Sequence, residues 1–581
     1  MESYTTANKN VAVGDAALQL NTTGNQNVHL GFRAGQYNTV GANMVVIGTE
    51  AGRYATGSHN TFVGKGAGKG GTTSAPYSSG QFNTAVGSYA LDAFTSGYQN
   101  VAIGYQTATD LTTAYYGTYI GMQAGQNVTS GNTNTFIGWQ SGNAVTDTSN
   151  KVAVGYRAGY ADGGEMDVHI GYEAGRNVTA GDNISIGRSA GQGYHGVGQT
   201  EFQSNTTNRY NVSIGSYAGQ RAIGTNSVNV GYQAGWYATG SNNTFLGSQA
   251  GKGGNSSAPY SSGEKNTAIG YQALTGFTTG HENTVMGYQA AYSLTTADNN
   301  VVIGYQTGYS LTTARYNVLI GDSAGRSLTS TSDNNENVMI GNSAGRNADA
   351  ATNAAHYNVY VGSGAGYYMD DGDSNVYIGR EAGKGSGTGN NATNQVIIGY
   401  QAGTSISTGD GNVLLGYQAG DAITTKTGII AIGLGAAGAI STTGDYSIAI
   451  GYGAMGGAEI GDGNIAIGYQ SMQNANAAGF HRNTALGYQT MQGVGSNSAT
   501  DNSVFGYRAG YSITTGDNNT FLGVSAGAAS TDVDRAVAIG TEAMGADNAT
   551  SAADGTVAVG WRAGYSINSG IGNTAIGYTA L

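Results

Sequence analysis

The sequence of 581 residues has no cysteine, only 2 prolines and only 10% charged residues. Without cysteine the chain has no disulfides and no thiolate metal sites. Its 23 basic residues are scattered and its net charge is −12, so we expect no nucleic-acid partner, because phosphate binding needs clustered Lys and Arg. No apolar run approaches the roughly 20 residues that a membrane-spanning helix needs, and we expect no membrane insertion.

A short motif repeats along the chain, which contains 100 glycines. The motif is Asn, a β-branched residue, a variable residue, an apolar residue and an anchor glycine, as in Asn100–Gly104 and Asn317–Gly321. We count 32 copies; 16 of the 31 spacings between anchor glycines equal 17, as from Gly104 to Gly121, and none is shorter than 16. A constant minimum spacing between repeats, with some longer spacings, is typical of a solenoid with loop insertions. The sequence therefore predicts an all-β fold, a β-solenoid or β-roll of 32 coils.

Both faces of the predicted strand are apolar. Counted from the anchor glycine, position −1 is apolar in 32 of 32 copies, position −3 is Val, Ile or Thr in 31, and position −2 is apolar in 27. Because alternate residues share a face, we assign −1 and −3 to the solenoid interior and −2 to an outer face that a second chain covers. A second layer within one chain is the alternative cover. On this assignment Ile320 is interior, and Ile320→Asp should open the stack locally.

The remainder of each copy predicts how the coil closes. Runs after the glycine, such as 511–515, alternate and predict a second strand, followed by turns such as 516–518. The anchor glycine suits a sharp corner with positive φ and close backbone approach. Position −4 is Asn in 22 copies, and Asn side chains stacked in register can hydrogen-bond along the stack. The predicted coil is therefore strand, corner, strand and turn.

We find no linker, so residues 1–581 are predicted to form one continuous solenoid domain. Longer spacings predict loop insertions at 65–82, 188–210, 248–265, 322–336 and 342–357. The first and third of these loops match closely in sequence, 69–80 with 252–263, which indicates an internal duplication. The chain stops within a coil and shows no capping segment, and we expect it to belong to a longer product or to join another subunit.

Few residues suggest chemistry. Tyr77 and Tyr260 lie on loops and are the candidate binding residues, since exposed aromatic rings can stack on sugars; anchoring of the loop is the alternative. The seven histidines lack metal-ligand spacing and no Ser-His-Asp or paired-carboxylate arrangement stands out, so we predict neither an enzyme nor a cofactor. Asp-rich turns at 370–373, 409–411 and 461–463 offer oxygen ligands for calcium, although ordinary Asp-Gly turns account for them better.

The repeat Asn-Thr-Ala-Ile-Gly-Tyr-Gln-Ala at 266–273, whose first six residues recur at 573–578, resembles two related groups. One is the head repeat of trimeric autotransporter adhesins, which form three-chain left-handed β-rolls. The other is the repeat region of phage tail-fibre and tail-fibre-like surface proteins. The resemblance implies a homotrimer that binds a cell-surface glycan or receptor. The coil here is longer than the adhesin repeat, and we find no counterpart of the adhesins' signal peptide, stalk or membrane anchor, which favours a virion or extracellular fibre.

These observations favour a structural and adhesive fibre protein, located outside the cell as a phage tail fibre or a surface filament. A self-assembling extracellular filament, in which this chain is the polymer subunit, is the alternative. An enzyme acting on polysaccharide is a third reading, because a β-solenoid can carry carboxylates on an outer groove.

Overall fold

A computed structural model describes residues 6–71, 74–193, 209–254, 260–329, 335–347, 355–387, 389–440, 444–457, 460–475, 478–493, 498–545 and 549–581. The described chain is an all-β parallel β-solenoid of about thirty turns, as the repeat predicts. It divides into two compact units, Met1–Met286 and Gly287–Leu581. Within the described ranges, no helix is both long and apolar enough to cross a membrane.

The first unit carries sixteen three-residue strands, β1 to β16, among its described residues. Their bounds are Val11–Val13, Val28–Leu30, Val45–Ile47, Thr61–Val63, Thr84–Val86, Val101–Ile103, Thr118–Ile120, Thr135–Ile137, Val152–Val154, Val168–Ile170, Ile184–Ile186, Val212–Ile214, Val228–Val230, Thr244–Leu246, Thr267–Ile269 and Thr284–Met286. Each strand therefore coincides with positions −3 to −1 of one copy of the repeat.

The second unit carries strands β17 to β32, again counted in the part of the chain that the structure describes. Their bounds are Val301–Ile303, Val318–Ile320, Val338–Ile340, Val359–Val361, Val376–Ile378, Val396–Ile398, Val413–Leu415, Ile430–Ile432, Ile448–Ile450, Ile465–Ile467, Thr484–Leu486, Ser503–Phe505, Thr520–Leu522, Val537–Ile539, Val557–Val559 and Thr574–Ile576. A short 3₁₀ turn, Ser551–Ala553, precedes β31.

Within each unit every strand pairs in parallel with the next, and equivalent positions of neighbouring copies lie side by side. Ala85 of β5 pairs with Ala102 of β6, which pairs with Tyr119 of β7. The register places anchor glycines above one another as well. Gly104 has φ of 140°, and a Cβ atom there would lie 2.5 Å from the carbonyl oxygen of Gly121. The predicted role of the anchor glycine, positive φ and close backbone approach, is confirmed.

The assignment of the two strand faces was wrong. Position −2 fills the interior, as Phe62, Tyr119 and Leu319 show with no exposed surface. Positions −3 and −1 point outward, and Ile320 is only half-buried on the outer face. Alternation separates the two faces but does not tell which is inside when both are apolar. Ile320→Asp would therefore not place a charge in the interior, and the local opening predicted for it is not expected. The apolar face that is exposed is the one formed by positions −3 and −1.

The predicted second strand is also absent from the described residues. Residues 511–515 form turns and bends, although Thr514 N–H still donates to the Thr531 carbonyl of the next coil at 2.8 Å. A tight turn with left-handed backbone at positions +2 and +4 leads into this run. Arg508 has φ of 52° and Gly510 has φ of 54°. Left-handed residues at alternate positions cannot continue an extended strand, so each coil has one strand and a long hydrogen-bonded turn.

The core of each coil is filled by a pair of positions, −2 and +4, whose sizes complement each other. Where −2 is large, +4 is glycine: a Cβ atom on Gly142 would lie 2.4 Å from the Phe136 ring. Where −2 is alanine, +4 is often large, as in Ala85 with Leu91, both fully buried. In a close-packed interior, two large residues at facing positions would clash, and two small ones would leave a void for other side chains to fill. In most coils, therefore, one of the two positions is large and the other small, whereas coils with two small residues, such as Ala102 with Ala108, are filled by other side chains.

The Asn ladder predicted at position −4 is confirmed. The Asn100 side chain is buried, its Oδ1 accepts the N–H of Gly117 in the next coil at 2.9 Å, and its Nδ2 donates to the Ala114 carbonyl at 2.8 Å. The N–H of Asn100 in turn donates to Oδ1 of Asn83 at 3.0 Å. One amide side chain per coil thus satisfies backbone groups that the turn leaves without strand partners.

Candidate functional site

The outer strand face is a continuous uncharged surface. Positions −3 and −1 carry no charged residue in any of the 32 copies. Val13 is 56% exposed, Leu246 46% and Leu522 47%. Beyond the corner glycine, position +1 forms a third row, which is aromatic in 17 of the 32 copies; Tyr105 in this row is 48% exposed. A soluble single chain rarely exposes a long apolar face, so this surface calls for a partner.

The aromatic row is stacked along the solenoid. Tyr452, Tyr469, Tyr488 and Tyr507 lie on successive coils, with ring centroids 5.2, 4.8 and 5.3 Å apart and planes within 12° of parallel. Beside this row runs a glutamine ladder at +2, in which Gln489 Nε2 donates to Gln470 Oε1 at 3.0 Å. The stacked rings cover one another's faces and present their edges outward, as a rigid row that a second surface can contact.

The area of this face is large for an unpartnered surface. The three residues of a strand span about 10 Å, and sixteen strands about 4.8 Å apart extend for about 77 Å, so the strand face of one unit covers about 770 Å². The largest apolar patch on a typical monomer is about 300–600 Å². A standard protein–protein interface buries about 800 Å² per partner. One unit alone therefore offers enough surface for a stable interface.

The two loop tyrosines stack on neighbouring coils. Tyr77 is half-buried, with its ring centroid 5.1 Å from that of Tyr37 and 6.1 Å from that of Tyr54. Tyr260 is half-buried with its ring 5.8 Å from that of Tyr237. Parts of the predicted insertions lie outside the described residues: 72–73, 194–208, 255–259, 330–334 and 348–354. Each tyrosine ring therefore contributes to fixing its loop and retains exposed surface.

Beside the two matching loops lie two shallow pockets at equivalent positions of the duplication. One has a volume of about 370 Å³, and its walls include Phe82 and Tyr98. The other, of about 300 Å³, has Lys265, His281 and Glu282 at its wall. The duplication thus preserves the pocket and changes its lining from aromatic to charged.

The Asp-rich turns use their carboxylates along the stack. Asp410 Oδ1 accepts the N–H of Thr393 in the preceding coil at 2.8 Å, and Asp462 Oδ1 accepts the N–H of Asp445 at 2.9 Å. Asp373 Oδ1 accepts the N–H of His356 at 2.7 Å. These carboxylates act as side-chain acceptors for the turn backbone, the ordinary role of Asp in turns.

A buried group of ionisable residues interrupts the Asn ladder in the first unit. Lys151 and Asp167 occupy position −4 of two successive copies, where Asn is usual. Lys151 Nζ lies 2.7 Å from Asp162 Oδ2 and 3.8 Å from Asp167 Oδ2, and His169 Nε2 lies 3.0 Å from Asp162 Oδ2. All four residues are at most 2% exposed. The sequence interpretation treated His169 as one of several scattered histidines; the departures from Asn at −4 were the signal it missed.

Burial and charge set the protonation of the two carboxyl groups. Burial alone would raise the pKa of Asp162, but the Lys151 ammonium and the hydrogen bond from His169 outweigh it and hold that pKa below its ordinary value. Burial, with the nearby charge of Asp162, raises the pKa of Asp167 to about 7. Near neutral pH, Asp162 is therefore ionised and Asp167 exists in both forms.

Among the described residues, one group of His, Asp and Glu side chains is compact enough to hold a metal ion, namely Asp162, Asp167 and His169. The Lys151 ammonium, however, lies 2.7 Å from the Asp162 oxygen that would be a ligand. A cation already neutralises this carboxylate, and a second positive charge at the same place would be repelled. The geometry therefore fits a lysine–carboxylate cluster rather than a metal centre.

A scan against known protein families finds no match for this chain, and a search of curated proteins finds no significant relative.

Proposed function

We propose that this chain is the shaft subunit of a homotrimeric extracellular fibre, of the phage tail-fibre kind, in which the uncharged strand face is the interface between copies. The observation that carries the proposal is that face: two rows without a single charged residue in 32 copies, bordered by a row of stacked aromatic rings. Interface cores are depleted in charged residues and enriched in aromatic ones, which is the composition found here.

A second copy of the same chain fits this face better than an unrelated partner. The face repeats with the period of the coil, so only a partner with the same period can match it along its length. A copy of the chain has that period by construction. The number three comes from the resemblance of the repeat to trimeric fibre proteins; the face by itself requires at least one further copy.

The loops beside the two matching pockets are the proposed receptor-contacting surface. Tyr77 and Tyr260 present part of a ring, and the neighbouring pockets are open and shallow, which suits a sugar better than a deeply enclosed ligand. The change from an aromatic to a charged lining would give the two sites different glycan preferences.

Light scattering on the purified chain tests the interface. We expect a discrete trimer. In a variant with Ile432, Ile450 and Ile467 all changed to Asn, which places three amides at position −1 of successive coils, we expect smaller particles with an unchanged circular dichroism spectrum. The matched control changes the turn residues Thr427, Asp445 and Asp462 to Asn and should leave the mass unchanged. A monomeric wild-type chain would contradict the proposal, and concentration-dependent polymers would favour the filament alternative.

Glycan binding is tested separately on a glycan array with wild type and a Tyr77→Ala, Tyr260→Ala double variant. The proposed role predicts binding by the wild type that the double variant loses while remaining trimeric. Unchanged binding would show that the two tyrosines only anchor their loops.

A further inference from the structure

One lysine, Lys151, is buried in the interior of the solenoid. Lys151 is 1% exposed, among the largest fully buried side chains of the described chain. Its backbone N–H keeps the ladder contact to Asn134 Oδ1 at 3.1 Å, and its Nζ donates to the Asp162 carbonyl at 2.8 Å. Nζ thus replaces the amide group that Asn supplies in other coils and brings an amine into direct contact with a carboxyl group.

A buried ion pair of this kind is an unfavourable ground state. Removing an ammonium and a carboxylate from water is costly, and their mutual attraction often fails to offset that cost. Polar side chains in the neighbouring core lower the cost of burying these charges only in part. Position −2 is polar in four successive strands, β10 to β13, where it is His169, Ser185, Ser213 and Asn229. Joining the two groups into a neutral amide would remove both charges from the interior.

We propose that Lys151 and Asp162 form an intramolecular isopeptide bond, with Asp167 and His169 as the catalytic residues. The structure has the amine and the carboxyl group in contact, Nζ to Oδ2 at 2.7 Å, before any bond forms. Nζ lies beside the oxygen that leaves, so the amine has only to turn within the site to reach Cγ, and such positioning replaces a bimolecular encounter.

The groups around Asp162 are arranged for acyl transfer at its Cγ. Oδ1, the oxygen that stays in the amide, accepts the N–H of Gly164 at 3.0 Å. Oδ2, the oxygen that leaves, faces His169 Nε2 at 3.0 Å. Asp167 Oδ2 lies 3.8 Å from the attacking nitrogen. A donor on the retained oxygen stabilises the developing negative charge, and groups near the nitrogen and the leaving oxygen can move protons.

The reaction is balanced without any further reactant. The Nζ–Cγ bond forms and the Cγ–Oδ2 bond breaks. The ammonium loses two protons, both of which end on Oδ2, and that oxygen leaves as water. Ionised Asp167 takes the first proton from nitrogen and protonated His169 gives one to Oδ2, so that a neutral amine attacks a neutral carboxyl group. The second proton of nitrogen passes to Oδ2 as the intermediate collapses, and the proton on Asp167 returns to His169, whose ring lies within 4.8 Å. Nothing is oxidised or reduced.

The bond would close a covalent ring from residue 151 to residue 162 in the coil of β9, next to the polar stretch of core. A covalent ring cannot open when neighbouring hydrogen bonds are broken, so this coil would resist unfolding by heat or force. The proposal does not depend on the fibre function, because it concerns one coil of a single chain.

Trypsin digestion of the unfolded full-length chain tests the bond. Cleavage after Lys151 and Arg157 releases the hexapeptide 152–157 only if Lys151 is unmodified. We expect this hexapeptide to be missing, and mass spectrometry to show residues 70–157 joined to residues 158–176, lighter than the two peptides together by one water. Release of the hexapeptide in stoichiometric amount from the wild type would overturn the proposal.

A competing way to lose water is succinimide formation, since Gly163 follows Asp162. A succinimide leaves Lys151 cleavable, so the hexapeptide would appear and residues 158–176 alone would carry the mass loss; that result also overturns the proposal. The matched variant is Asp167→Asn, which restores the residue found at −4 in 22 copies and is expected to keep the fold. Loss of the linkage in this variant, with an unchanged circular dichroism spectrum, would support the role of Asp167, whereas full linkage would refute it.

Discussion

Two adjacent residues of β18, Leu319 and Ile320, separate the inside of the solenoid from the outside. Leu319 is fully buried, and its Cδ atoms lie 3.0 Å from where Cβ atoms on Gly308 and Gly325 would be. Ile320 is half-buried on the outer face. Changing each to alanine removes a comparable volume of hydrocarbon, so any difference between the variants reports on which face is interior.

The expected losses differ about threefold. Leu319→Ala removes three buried carbons and leaves a cavity between tightly placed glycines, which costs about 3 kcal/mol of local stability. Ile320→Ala removes carbons of which about half are in water already, and costs about 1 kcal/mol in the chain itself. These values correspond to roughly 150-fold and 5-fold faster local opening.

Hydrogen exchange followed by mass spectrometry measures this opening, because the coils of a solenoid open locally and exchange reports each segment separately. The peptides to compare cover β17 to β19, and β30 to β32 of the same sample serve as the internal reference. Light scattering on both variants shows whether Ile320→Ala also weakens association.

The comparison is made in chain diluted until light scattering shows it to be monomeric, because an interface between copies would bury Ile320 as well. In the monomer, equal acceleration by the two variants would refute the assignment of the faces, as would a larger effect for Ile320→Ala. A strong effect of Leu319→Ala on the subunit number with little effect on exchange would place that residue in an interface and reverse the assignment.

Three further changes test the core and the ladder. Burial lowers the pKa of His29 from 6.5 to about 4, although a hydrogen bond with the Ala34 carbonyl acts in the opposite direction. As the pH drops from 6.5 to 4 the unfolded chain binds the proton first, so the free energy of unfolding should fall by about 3 kcal/mol. His29→Phe should abolish this dependence in urea titrations. Gly142→Ala should lower stability by about 1–3 kcal/mol, and thermal melts should show partial recovery in the double variant with Phe136→Ala. Asn100→Leu should cost about 1–3 kcal/mol and speed exchange of the Gly117 amide, which loses its acceptor; unchanged exchange would contradict the ladder.

The repeat made the coil, the stacking and the corner predictable because each depends on spacing and on glycine. Gly104 had to meet the anchor glycine of the next coil, and Asn100 had to meet Asn83 of the preceding coil. The orientation of the strand was not predictable from alternation, since residues such as Ile103 and Ala102 are both apolar. Size complementarity was the usable signal: large residues at −2 occur with glycine at +4.

The second strand and the buried cluster escaped prediction for different reasons. Alternating apolar residues such as Ile513 do face the core, as in a strand. The turn before this run contains Arg508 with left-handed backbone, a conformation that the sequence does not predict for an arginine. The cluster joins Lys151 to Asp162 and to the next copy, so it appears only when successive coils are stacked in register.

The pairing of positions −2 and +4 also bears on how such a chain changes in length. Because Phe136 is accommodated by Gly142 of its own coil, and Ala85 by Leu91 of its own coil, a whole coil carries its filling with it. Copying or deleting one coil moves both members of a pair together, and the loop insertion at 69–80 lies beyond Gly68, so it leaves the pair Phe62 and Gly68 intact. The two matching stretches, 69–80 and 252–263, are the outcome expected when a chain can lengthen by whole coils without refitting the rest.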